Sequence, residues 1–234
     1  MNWKLSAAWL LGVGFVSAGV FFSLFPQIDT NVTGYFWTPE AGFYLRDSAL
    51  PWLLYKFIPL IGYGVAILVG LVFALSRMFP SGLLGVDRRG ASFLLLALIL
   101  GPGLVTNGIL KEFWGRARPV QIEQFGGTAH FTPALEITNQ CAHNCSFVAG
   151  HPSMAFYTLA FAFLMTGRRM RILTGIAAIL FGCLAGYGRI VQGGHFLSDV
   201  VFSGLINCGI VCLLYYWVVE RNSLAKLLRT SKPS

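Results

Sequence analysis

Charge is what this sequence has least of. Asp, Glu, Lys and Arg supply 11% of the 234 residues, and only nine residues are acidic. An ordinary soluble domain carries roughly 25% charged residues, so a soluble monomer is excluded. Internal repeats and low-complexity tracts are also missing, which excludes a solenoid and a long disordered linker. Histidines number four, and no tract offers the ligand spacing of a structural metal site.

Apolar residues are abundant. They make up 56% of the chain, and mean hydropathy is +0.68. Uncharged runs occupy 5–28, 57–76, 90–110, 137–167, 172–188 and 200–219. Crossing a bilayer takes roughly 20 apolar residues. Six such windows predict an all-α membrane protein with six transmembrane helices in a single domain, 1–234. The helices are expected over about 5–25, 52–76, 91–113, 151–167, 171–190 and 198–219. Loops at 26–51 and 114–150 on the outer side are long enough to cap that face. An inner loop at 77–90, an Arg-rich inner turn at 167–171 and an outer turn near 190–197 complete the path.

A net charge of +8 would suggest a nucleic-acid partner in a soluble protein, but its distribution here points to the bilayer instead. Threading six helices alternately puts Lys4, Arg77, Arg88, Arg89, Arg168, Arg169, Arg171, Arg221, Lys226, Arg229 and Lys232 on one side. The other side receives Arg46, Lys56, Lys111, Arg116, Arg118 and Arg189. By the positive-inside rule both termini are cytoplasmic. The apolar run after Lys4 is too long for the core of a secretory signal, roughly 7–15 residues, so it reads as an uncleaved helix. Tyr35, Phe36, Trp37, Phe43, Tyr44, Trp52 and Trp114 suit the headgroup layer, where amphipathic rings collect. Cys183, Cys208 and Cys212 fall inside helices as small packing residues. Cys141 and Cys145 lie in the outer loop, where a disulfide or free thiols are both open; a metal site with His143 would need more ligands.

The outer cations cluster. Lys111, Arg116 and Arg118 follow the third helix and Arg189 ends the fifth, while His151 opens the fourth and His195 and Asp199 open the sixth. Helix counting brings all of them to one membrane face. Ionisable groups at membrane depth are costly and mark function. Cations and imidazoles together fit a phosphate, whose oxygens match the planar donor fork of Arg and the compact charge of Lys. Around His151, Pro152 suits a first helical position, so backbone N–H groups of 149–151 are expected to point at the anion with the positive end of the helix dipole. His195 and Asp199, four apart, share a helix face if the sixth helix starts at or before His195. Asp199 would then hold one imidazole nitrogen while the other attacks phosphorus, with His151 protonating the leaving oxygen.

Lys111-Glu112-Phe113-Trp114-Gly115-Arg116-Ala117-Arg118-Pro119, the segment Ser146 to His151, and Gly188-Arg189 followed by His195 and Asp199 resemble the three motifs of the phosphatidic acid phosphatase type 2 superfamily, which includes vanadium haloperoxidases. The spacings match, and the resemblance covers about 90–219. It implies metal-independent phosphoester hydrolysis through a phosphohistidine, with no cofactor. Residue by residue it implies that Lys111, Arg118 and Arg189 hold phosphate together with Ala149 and Gly150 of the second motif. His151 would be the acid, His195 the nucleophile, Asp199 its partner, and Arg116, off the pattern, an auxiliary at most. Val148-Ala149 stands where the family has Pro-Ser, and Gly188 where it has Ser, so the hydroxyl expected at 149 is missing. A lost neutral hydrogen bond costs roughly 0.5–1.5 kcal/mol, a loss that backbone donors and cations can absorb.

Gly101-Pro102-Gly103-Leu104-Val105, Trp114 through Phe125 and Asn144 through Val148 further resemble the bacterial lipid A phosphatases, the 4′ branch above the 1 branch. That implies a multi-pass inner-membrane protein with its site facing the periplasm and a membrane lipid phosphate as substrate. Undecaprenyl diphosphate and phosphatidylglycerophosphate are the rival substrates. A transporter lacks its usual pointer, a pair of interrupted helices in corresponding halves.

Overall fold

The computed structural model describes residues 3–79, 82–83 and 85–221, with side chains from residue 9 onward. Lys226, Arg229, Lys232 and the side chain of Lys4 lie outside the described residues. Among the described residues the chain is helical: α1 (Trp3–Leu24), α2 (Gln27–Gly34), α3 (Ala49–Leu75), α4 (Arg88–Leu98), α5 (Lys111–Phe113), α6 (Gly150–Tyr157), α7 (Leu159–Leu164), α8 (Arg168–Val191) and α9 (Leu197–Leu214). A π-helical stretch, Ile99–Leu110, joins α4 to α5, and a second one, Tyr215–Glu220, extends α9.

Four of these helices are long and apolar enough to cross a membrane: Ala49–Leu75, Arg88–Phe113, Arg168–Val191 and Leu197–Glu220. A fifth span results if the pair Trp9–Leu24 and Gln27–Gly34, bent by 82°, is taken together. The expected six are therefore not all present as full spans. The fourth expected helix, 151–167, is the one that falls short. It is broken at Thr158, whose hydroxyl donates to the Ala155 carbonyl at 2.6 Å, and it ends at Leu164, ahead of Gly167 with φ +85°. At 1.5 Å per residue, α6 and α7 together reach about 22 Å, short of a hydrocarbon core of about 30 Å.

Local chemistry accounts for the long spans. Asp87 caps α4, its carboxylate accepting the Gly90 N–H at 2.8 Å, the arrangement that stabilises a helix start. Pro102 interrupts the ladder of the Arg88–Phe113 span, and Asn107 Nδ2 satisfies the Pro102 carbonyl at 2.6 Å. Leu60, Ile61, Tyr63 and Ile67 on α3 and Leu180 on α8 are exposed, as lipid-facing side chains must be.

The outer loops do form a cap. Phe43, Ala117, Ile122, Phe125 and Phe196 make its buried core, with Phe36, Trp37 and Phe131 packed against it. Phe36, Trp37 and Phe43 therefore pack within the cap. Trp114 is also internal, stacked on Phe147 at 4.6 Å with its indole N–H on the Ala134 carbonyl at 2.9 Å. Tyr35, Tyr44 and Trp52 remain exposed. Cys141 and Cys145 form a disulfide, while Cys183, Cys208 and Cys212 are free.

Candidate active site

The capped ends of α3, α5, α6, α8 and α9 meet around the loop 141–149. Backbone hydrogen bonds fix that loop: Cys145 N–H donates to the Lys111 carbonyl at 2.8 Å, Ser146 N–H to the Arg116 carbonyl at 2.8 Å, and Ala149 N–H to the Asp199 carbonyl at 3.2 Å. Ala149 is thus not a free donor to an anion, which removes one of the three expected backbone groups. Pro152 occupies the third position of α6, not the first. It still lies in the first turn, where a missing N–H breaks no helical bond. Gly150 and His151 keep N–H groups in that turn, and Lys111 Nζ lies so close that a Cβ on Gly150 would be 3.4 Å from it.

His195 precedes α9, which starts at Leu197, so the shared helix face expected with Asp199 does not exist. The imidazole is oriented by a different acceptor. Its Nδ1 lies 2.7 Å from the Ser146 carbonyl and 3.7 Å from Asp199 Oδ2. A carbonyl only accepts, so Nδ1 carries the proton and Nε2 keeps its lone pair. Burial holds the His195 pKa well below the ordinary histidine range, and Arg189 and Arg118 depress it further against the pull of Asp199. The ring is neutral at physiological pH.

Asp199 acts on His195 through Ser146. Its Oδ2 accepts the Ser146 hydroxyl at 2.5 Å and the Phe196 N–H at 2.9 Å, and the same serine presents its carbonyl to His195. Oδ1 accepts Arg116 Nη1 at 2.6 Å. Arg116 is fully buried, and its other donors are taken as well. Nη2 meets Asp29 Oδ2 at 2.8 Å, Nη1 also meets Ser198 Oγ at 2.9 Å, and Nε meets the Thr132 carbonyl at 3.0 Å. The Phe196 ring covers the guanidinium at 4.4 Å. Burial opposes the Arg116 charge, but Asp199 and Asp29 outweigh it and keep the guanidinium protonated. Asp29, in the first turn of α2, also accepts Ser198 N–H at 2.8 Å and Ser198 Oγ at 2.5 Å. Two carboxyl groups thus share one guanidinium in a dry network.

The other cations are differently placed. Arg118 is half-buried and held by Asn144, whose carbonyl accepts Nη2 at 2.6 Å and whose side chain accepts it at 2.9 Å. Arg189 is buried, with Nη1 on Gln192 Oε1 at 2.6 Å and the guanidinium 5.0 Å from the Tyr55 ring. Its Nε has no partner. Gly194 makes room for it, since a Cβ there would lie 2.2 Å from Arg189 Nη2. His151 stacks on Tyr55 at 5.3 Å and donates Nε2–H to the Tyr55 carbonyl at 3.3 Å. A cavity of about 340 Å³ opens over Arg118, Arg189 and Tyr55. An apolar groove of about 460 Å³ between α3 and the 99–110 stretch ends at Lys111, Gly150 and His151. No cluster of three metal-ligating side chains occurs among the described residues.

The three motif segments therefore converge, and residues 90–223 match the PAP2 superfamily. The chain belongs to the PAP2 superfamily. Among curated relatives it is 38% identical over 206 residues to a lipid A 4′-phosphatase of Francisella tularensis subsp. novicida (strain U112), covering 86% of this chain and 89% of that one. It is 33% identical over 211 residues to a lipid A 4′-phosphatase of Rhizobium leguminosarum, covering 88% of each. A lipid A 4′-phosphatase of Rhizobium etli matches at 41% over 110 residues, 47% of this chain and 42% of that one. No solved structure matches the chain.

Sequence reasoning missed Asp29, Tyr55 and Gln192 as members of this PAP2 site, and it quoted Asn144 and Ser146 within motif segments without giving either a role. Asp29 did leave a signal, being the first charge after the uncharged run 5–28. The others are common polar or aromatic residues that only the fold brings to the cations.

Proposed function

We propose that this phosphoric monoester hydrolase is an integral-membrane lipid phosphatase that removes a phosphate from lipid A, at the 4′ position in preference to the 1 position. The observation that carries the reading is the orientation of His195: Nδ1–H lies on the Ser146 carbonyl at 2.7 Å, which leaves Nε2 its lone pair on a ring that Arg189 and Arg118 act on. In the reaction, Nε2 attacks phosphorus and the bond to the lipid oxygen breaks. Burial and Arg189 lower the His151 pKa to about 4 in the free site. With the cations neutralised by the bound phosphate, His151 takes up a proton, gives it to that oxygen, and the alcohol leaves. Water then attacks the phosphohistidine with His151 as base, which releases inorganic phosphate and restores His195. Lys111, Arg118 and Arg189, with the N–H groups of Gly150 and His151, carry the charge that develops on the phosphoryl oxygens. Asp199 Oδ2, 3.7 Å from Nδ1, favours the cationic imidazole formed on phosphorylation. No step calls for a metal or cofactor.

The printed names of the relatives, and the overlap with them along most of the chain, support lipid A as substrate. The excess of Arg and Lys assigned to one side supports cytoplasmic termini and a site facing the periplasm of a bacterial inner membrane. Mass spectrometry of lipid A from cells with and without the protein tests the substrate: the expected result is loss of one phosphate, from the 4′ sugar. Unaltered lipid A, with phosphate released by the purified protein from undecaprenyl diphosphate or phosphatidylglycerophosphate, would replace it with one of those lipids.

A further inference from the structure

The cavity over Arg118 and Arg189 is larger than one phosphate needs, and part of its wall comes from residues outside the 90–223 match. Arg46, Asp47, Trp52, Tyr55 and Lys56 line it together with Arg118 and Arg189. Four cations thus face one carboxylate across about 340 Å³. Arg118 and Arg189 are accounted for by the scissile phosphate. Arg46 and Lys56 are not, and both side chains are exposed to the cavity mouth. The Arg46 backbone is nonetheless fixed to the site: Gln192 Nε2 donates to the Arg46 carbonyl at 3.3 Å and to the Pro51 carbonyl at 3.2 Å, while its Oε1 holds Arg189. One side chain therefore sets the distance between the buried cation and the loop carrying the surplus one. Trp52 and Tyr55 are both about half exposed and offer ring faces of the kind that pack on sugar C–H surfaces.

We propose that Arg46 and Lys56, beside Trp52, form a headgroup subsite that binds a second anionic group on the saccharide headgroup of the same lipid, so that a doubly phosphorylated headgroup is favoured over one carrying the scissile phosphate alone. The inference rests on the lipid A reading above, in which the 4′ and 1 phosphates sit on different sugars. The scissile phosphate lies among Lys111, Arg118 and Arg189, and the apolar groove ending at His151 leaves on the bilayer side. The polar cavity that Arg46 and Lys56 flank suits the headgroup, as the apolar groove suits the acyl chains. Asp47 in the same wall disfavours additional negative charge beyond that second group and can accept sugar hydroxyls.

The test compares kcat/KM of the purified full chain, in zwitterionic detergent, on lipid A bearing both phosphates and on the same lipid A lacking only the 1-phosphate. Wild type should prefer the first by about tenfold, the scale of two exposed ionic contacts. In Arg46→Gln/Lys56→Gln the ratio should fall below about threefold. Inhibition by inorganic phosphate should shift less than twofold, because that ion binds at the deeper cations. Equal rates of wild type on the two lipids overturn the subsite without any variant, as does a tenfold ratio that survives the double substitution. Release of phosphate from neither lipid, with release from a diphosphate lipid, fails the substrate reading and the subsite with it.

Discussion

Arg116 and Arg118 are two residues apart and end in opposite surroundings. Arg116 is fully buried, with a carboxylate on each side and a phenyl ring over its face. Arg118 reaches a cavity, with only carbonyl and amide oxygens of Asn144 for company. The first region is a dry, internally paired network with the Arg116 donors spent. The second, with Lys111 and Arg189, is a group of cations that the protein leaves for a ligand to neutralise. Identical side chains thus meet opposite surroundings, and in the function proposed above the paired charges hold geometry while the unpaired ones hold substrate. Removing a member of the first should cost stability, while removing a member of the second should cost turnover.

The largest effect should come from the atom both regions serve. His195→Ala is expected to reduce phosphate release by at least about 10⁴-fold, as loss of a nucleophile does, while the protein still inserts and purifies. Phosphate release at equal folded concentration measures it, and near wild-type turnover would refute the phosphohistidine route. Arg116→Ala should leave Asp29 and Asp199 as buried, uncompensated charges, at a cost of about 3–5 kcal/mol. The measurement is thermal unfolding in detergent, with Arg116→Lys expected to rescue little because an ammonium lacks the planar fork that reaches both carboxylates. An Arg116→Ala protein as stable as wild type would dissolve the contrast drawn above.

For the open cations the order reverses. Arg118→Ala and Arg189→Ala should each lower kcat by about 10²–10³ with unfolding temperatures close to wild type. The pH dependence sharpens the same contrast. Because the folded pKa of His195 is depressed, its imidazole stays neutral in the folded free enzyme as pH falls through about 6.5, the ordinary histidine value. The kcat/KM profile should therefore show no acid inflection there from His195. The unfolded chain does take up that proton, so stability should decline as pH drops below about 6.5; urea or thermal unfolding from pH 8 to 5 checks the sign. The smallest change is expected from Ala149→Ser. Ala149 packs with Phe156, Ile190 and Val200, and it caps a helix whose third residue is a proline without an N–H, so a new hydroxyl gains little. Activity should rise by no more than about tenfold, whereas a gain of several orders of magnitude would mean that the chain as it stands is not a competent enzyme.

The spans at 52–76, 91–113, 171–190 and 198–219 were legible because uncharged runs near 20 residues have few alternatives in a protein so poor in charge. The 151–167 helix was not, since its uncharged run continues back through the loop to residue 137 and hides how few residues are helical. The cations and histidines of the site were legible from helix counting, and the three motif segments from their resemblance to a known family. The partnership of His195 with the Ser146 carbonyl was not, because a backbone acceptor leaves no mark on residue type. Arg116 was read as one more cation near a phosphate. Its true surroundings depend on Asp29, 87 residues away, and no local pattern connects the two.

That separation has a consequence for how the protein is made. Asp29 binds Arg116 across 87 residues and Ser198 across 169. At a synthesis rate of about 5–20 residues per second, Asp29 leaves the ribosome roughly 10–30 s before the segment that completes its shell. For about the first half of that interval the carboxylate has neither its cation nor its serine, and for the rest it has Arg116 without Ser198. The start of the chain therefore cannot settle until the last long helix has been delivered, and assembly of this enzyme closes from its two ends toward a shared charge.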